Sequence, residues 1–158
     1  MMRQDGVGAF KASTAGKILL GGSLLYFVSL FFQWDAGNCV ATRIGTICGS
    51  VENGFSNVGI LNTLIVIAII GMEVLALTDL RIDVGTPAQR MRVEAGLAFS
   101  LPFFTVIKIL VNIDGIKPFA FAGLVLSLVV AYGGYLRWEE SRLTPPPLPP
   151  PGGSGFTA

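Results

Sequence analysis

Two ionisable side chains stand alone inside long apolar runs of this chain, Glu73 within 58–78 and Lys108 within 95–113. A charge in hydrocarbon is costly, so such residues face protein or water and mark an ion path, a subunit contact or an internal packing point. Further polar residues fall in step with them. Glu94, Leu101, Thr105, Lys108 and Asn112 sit at offsets of 0, 7, 11, 14 and 18. At about 100° per residue these positions form one narrow stripe on a helix. Asn62 and Glu73, eleven residues apart, share a face in the same way. Both faces are expected to point into a bundle.

Glu73 and Lys108 are not expected to meet. One lies near the inner end of its run and the other near the outer end, a depth difference of about 12 Å. Glu73 is left to be neutral, or to meet Lys17 or Arg92 from the inner edge. Lys108 is left to snorkel outward to Asp114 or Asp35. A conducting path needs polar groups at successive depths, and the middle of these runs is mostly Leu, Ile and Phe. The stripe therefore reads first as packing, with an ion path as its rival.

The residue inventory gives no catalytic, cofactor or metal site. The chain has no histidine, which removes the usual general base near neutral pH and the commonest metal ligand. Its two cysteines cannot by themselves complete a four-ligand zinc site. No phosphate-binding loop is present. The net charge of +1 offers no basic field for nucleic acid. The expected reading is non-enzymatic.

Cys39 and Cys48 have a different chemistry open to them. Paired inward, they set Val40 against Ile47 and Ala41 against Thr46, the spacing of a short hairpin with Arg43-Ile44 at its tip. Arg-Ile is an unusual two-residue turn. Both cysteines lie in one outward connection, and a Cys39–Cys48 disulfide is expected to close the loop there.

Four apolar runs position all of this: 18–34, 58–78, 95–113 and 118–136. Each approaches the ~20 residues a helix needs to cross a bilayer. Hydrophobic residues make up 52% of the 158 and charged ones 13%, too few to coat a water-facing exterior. The predicted fold is an all-α membrane protein of four transmembrane helices over 18–136. A flexible tail precedes it at 1–17, and a Pro- and Gly-rich tail follows at 137–158. Of eleven Lys and Arg, one is Lys108. Eight of the other ten, Arg3, Lys11, Lys17, Arg81, Arg90, Arg92, Arg137 and Arg142, flank one side. Arg43 and Lys117 flank the other. The positive-inside rule then puts both termini in the cytoplasm. The first run is bulky at Phe31-Phe32-Gln33-Trp34, which argues against a cleaved signal and makes Trp34 an expected interfacial anchor.

Two packing features complete the pattern. Pro102 predicts a kink in the third helix. Gly123, Ser127 and Ala131, at i, i+4 and i+8, form a small-residue ladder that lets helices approach, within the chain or between subunits.

Phe31-Phe32-Gln33-Trp34 closes the first run. Lys108-Ile109-Leu110 precedes Asn112-Ile113-Asp114 and Pro118, and Tyr132-Gly133-Gly134-Tyr135-Leu136-Arg137 closes the fourth. Across 18–137 this resembles small four-helix integral membrane proteins of actinobacterial type. The resemblance implies a bacterial plasma membrane location and that architecture. The partners expected are the lipid bilayer and a membrane-protein partner or further copies of the chain, in a structural, scaffold or accessory role.

Overall fold

Buried residues recur every three or four positions along each of four helices, so every helix turns one stripe inward. These helices are α1 (Thr14–Ser29), α2 (Gly59–Leu77), α3 (Pro87–Val111) and α4 (Pro118–Leu143). The computed structural model describes residues 13–35, 39–48, 52–77, 86–111 and 116–143. Residues 1–12 and 144–158 of the expected tails, with Asn112 and Asp114, lie outside that set, whereas 13–17 and 137–143 belong to the helical bundle.

On α2 the inward stripe is Asn62, Val66, Ile69 and Glu73. On α3 it includes Glu94, Ala98, Leu101, Thr105 and Lys108. The helices pack in a ring, α1 on α2, α2 on α3, α3 on α4 and α4 on α1. The start of α1, the end of α2, the start of α3 and the end of α4 meet through Ser13, Glu73, Glu94, Arg137 and Glu140. The bundle therefore runs up-down-up-down. The outward faces are apolar, with Leu25, Ile60, Leu64, Phe103, Val125 and Leu128 all more than half exposed. α2, α3 and α4 are long and apolar enough to cross a membrane, and α1 is a shorter apolar helix of 16 residues.

The helix limits differ from the sequence expectation in three places. α1 starts at Thr14 and stops at Ser29, not 34. Its last turn tightens, since the Leu30 amide donates to the carbonyls of both Tyr26 and Phe27. The chain then leaves as a strand, β1 (Gln33–Asp35). α3 starts at Pro87 rather than 95 because Thr86 and Gln89 form a reciprocal capping box around a proline at the first helical position. α4 runs seven residues past the expected end at 136, to Leu143. This moves Arg137 from the flank into the bundle. α3 passes through Pro102 as one helix.

A small β-lid covers the other end. β1 pairs with β4 (Glu52–Asn53), and Asp35 bridges to Ile116 in the α3–α4 connection. Between them β2 (Cys39–Thr42) and β3 (Gly45–Cys48) make the expected hairpin. Its register sets Cys39 opposite Cys48, Val40 opposite Ile47 and Ala41 opposite Thr46. Gly45, at φ 143°, supplies the backbone conformation that this tight turn needs.

Candidate functional site: a layered polar interior

Polar side chains gather in the bundle at separate depths. The first layer is at the end where α1 begins and α4 ends. Arg137 on α4 is 1% exposed and is held by carboxylates from three directions. It donates through Nη2 to Glu73 of α2 at 2.5 Å, through Nε to Glu94 of α3 at 3.1 Å, and through Nη1 to Glu140 at 3.0 Å. Glu140 in turn accepts from the Ser13 hydroxyl at 2.5 Å, which brings in α1. One guanidinium thus links all four helices, the fork geometry for which Arg is better suited than Lys. Gly16 makes room for it. A Cβ there would lie 2.8 Å from Nη2 of Arg137 and 2.9 Å from Glu73 Oε2. Glu94 Oε1 has no hydrogen-bond partner among the described residues.

The second layer lies deeper. Asn62 donates to the Tyr26 hydroxyl at 2.9 Å, and Tyr26 and Thr105 share a hydrogen bond at 2.8 Å. Thr105 then donates to the Leu101 carbonyl. The chain of bonds reaches across α2, α1 and α3 and ends on backbone. Asn62 lies eleven residues before Glu73 on α2, and Thr105 lies eleven residues after Glu94 on α3. Both intervals give about 16 Å between layers at ~1.5 Å per residue. The intervening space holds Leu19, Val66, Ile69, Ala98, Leu101 and Val130, each with no exposed surface.

The third layer fastens the lid. Lys108 donates to the carbonyl of Asn53 at 3.1 Å, to the carbonyl of Ser56 at 2.7 Å and to the Ser56 hydroxyl at 3.2 Å. Its ammonium also sits 5.8 Å from the centre of the Trp34 ring, within cation–π range. Lys108, expected to reach outward to Asp114 or Asp35, holds the loop that leads into α2, and Asp114 lies outside the described residues. Asp35 lines the same small cavity as Lys108, about 10 Å³ bounded also by Trp34, Ile109, Ile116 and Ala120. That is room for one water at most.

Trp34 is not a lipid-facing anchor. It is 2% exposed, its indole donates to the Ser29 carbonyl at 2.8 Å, and its ring lies edge-on to Tyr26. The ring occupies the notch at Gly123, where a Cβ would fall 2.3 Å from ring carbons. The small-residue ladder is therefore turned inward. Gly123 and Ser127 are buried and Ala131 is half-buried. The buried line of α4 continues through Val130 and Gly134 to Arg137 and Ser141. Gly133 takes Ile18 and Leu19 of α1, and Gly134 takes Ala98 of α3, so α4 meets both neighbours at close range.

The sequence reading placed Glu73, Glu94, Asn62, Thr105 and Lys108 inside, and all five are buried. It did not join Glu73 to Glu94, and it missed Arg137 and Tyr26 as their partners. The available signal for Arg137 was its position fourteen residues after Gly123, in phase with the small-residue face. Glu73 was left to be neutral or to meet Lys17 or Arg92; its partner here is Arg137. Comparisons with protein-family models, with curated proteins and with solved structures find no match to this chain.

Proposed function

We propose that this chain is a non-enzymatic integral membrane protein that serves as a structural, scaffold or accessory subunit of a membrane complex. The observation that carries this reading is the layering of the interior. Charged and hydrogen-bonding groups hold the bundle near both ends and at one internal depth, and a mostly apolar zone, which also holds the buried Ser23 hydroxyl, separates the Arg137 layer from the Tyr26 layer. Such an interior favours a fixed shape over transport. The rival, an oligomeric channel or transporter component using Glu73, would need polar groups through that zone. With Gly123 and Ser127 facing inward, the surfaces left for a partner are the apolar helix faces, the outer hairpin and the Pro-rich tail.

The same reading places the chain in the bacterial plasma membrane with both termini cytoplasmic, from the eight-to-two distribution of flanking basic residues. The lid then faces the oxidising side. A Cys39–Cys48 disulfide is supported by the hairpin register. Thr42 and Gly45 flank the two-residue turn as a hydrogen-bonded pair. Counting back, Cys39 and Cys48 form a non-hydrogen-bonded pair, where Cα atoms approach to ~4.5 Å, within the span of a disulfide.

Extraction in mild detergent followed by a native gel tests the role. A defined species larger than the monomer, with constant composition across detergents, is the expected result. A monomer in every detergent refutes the subunit reading.

A further inference from the structure

On the lipid-facing side of α3 and α4, near the Arg137 layer, lies a groove of about 370 Å³ lined by Arg92, Gly96, Phe99, Tyr135 and Trp138. That volume is in the range of small-ligand pockets, roughly 300–1,000 Å³. Its chemistry is graded along the helix axis. Arg92, Gly96 and Phe99 follow one another at i, i+4 and i+7 on α3, so Phe99 lies about 10 Å deeper than Arg92. Trp138 and Tyr135 stand opposite on α4, 42% and 46% exposed. Gly96 is an open notch, because a Cβ there would meet nothing within 4 Å.

The charges around the groove are unequal. Arg137 is turned inward to Glu73 and Glu94, and Arg90 donates to the Met72 carbonyl. Arg92, exposed on the groove rim, makes no ion pair among the described residues. The nearby anion, Glu139, accepts from the Tyr135 hydroxyl at 2.7 Å. A cation and an indole at the rim, above an apolar slot with a missing side chain, match one kind of occupant.

We propose that this groove binds a phospholipid with an anionic headgroup, its phosphate against Arg92 and Trp138 and one acyl chain over Gly96 along Phe99. The cytoplasmic leaflet supplies such lipids. The proposal rests on membrane embedding with the Arg137 end on the cytoplasmic side, and it holds whether the chain is a scaffold or a channel component.

The protein has two tryptophans, Trp34 and Trp138. Trp34 is buried, so lipid quenching reports on Trp138. The experiment reconstitutes the full chain in vesicles containing either brominated phosphatidylglycerol or brominated phosphatidylcholine at equal mole fraction, and measures tryptophan quenching. The anionic lipid is expected to associate about fivefold more strongly, the preference one interfacial cation confers. Arg92→Gln should abolish the preference. Gly96→Leu should fill the notch and lower quenching by both lipids. Equal quenching by the two lipids in wild type, or an unchanged preference in Arg92→Gln, overturns the proposal. Quenching by neither lipid in protein that floats with the vesicles overturns the groove alone; failure to float overturns membrane embedding itself.

Discussion

Replacing Arg137 with Met removes the cation that faces Glu73, Glu94 and Glu140, and the geometry sets what each limb is worth. The Glu73 and Glu94 side chains are 5% and 3% exposed, at 2.5 and 3.1 Å from the guanidinium. Removing one partner of a buried pair costs about 3–5 kcal/mol, because the remaining charge is uncompensated. The Glu140 side chain is 35% exposed, so that limb contributes less than ~1 kcal/mol. Arg137→Met should thus destabilise the protein by about 3–5 kcal/mol, and Glu140→Gln by less than ~1 kcal/mol. Glu73→Gln weakens a charge-assisted bond worth about 1.5–3 kcal/mol, more than the mild effect expected from shape alone. Adding Glu73→Gln and Glu94→Gln to Arg137→Met should restore most of the loss, since the stranded anions are gone. The assay is denaturant titration in mixed micelles followed by tryptophan fluorescence. An Arg137→Met protein within ~1 kcal/mol of wild type is incompatible with a buried ion cluster that holds the bundle, as is a triple variant no more stable than the single one.

Gly123→Ala places a Cβ 2.3 Å from the Trp34 ring, so the ring and lid must move. Overpacking of this kind costs about 1–3 kcal/mol, and the Trp34 emission should shift as the indole leaves its site; an unchanged spectrum and midpoint contradict the packing. The disulfide predicts no free thiol before reduction and two after it, and thiol labelling of freshly isolated, unreduced membranes decides the matter. In a background without the native cysteines, Ile44→Cys at the fully exposed hairpin tip should react with an impermeant thiol reagent in intact cells, and Ser154→Cys should not. The opposite labelling inverts the topology.

Much of the architecture was legible because it rests on period. Apolar runs of membrane length located the helices, and the offsets of 0, 11 and 14 put Glu94, Thr105 and Lys108 on the buried stripe. The hairpin register followed from counting inward from two cysteines. What escaped depends on contacts between distant segments or on local chemistry outside the apolar runs. Arg137 looked like a flanking charge because the apolar run stops at Leu136, although the helix continues through Trp138 to Leu143. The capping box at Thr86 and Gln89 lies ahead of the apolar run at 95–113, so an apolar period alone starts the helix too late. Trp34 is buried because Gly123, 89 residues away, leaves a notch for it, and no local pattern announces that pairing. Lys108 binds backbone carbonyls of the loop, and a carbonyl acceptor leaves no signature in residue type.

In the proposed role the buried charges fix the bundle and do not conduct. Proton and ion flux through purified wild-type protein in liposomes, measured beside Glu73→Gln, tests it most directly. No flux above protein-free vesicles is expected for either protein, with Glu73→Gln differing only in its lower unfolding midpoint. Flux through wild type that is lost in a folded Glu73→Gln protein would contradict it.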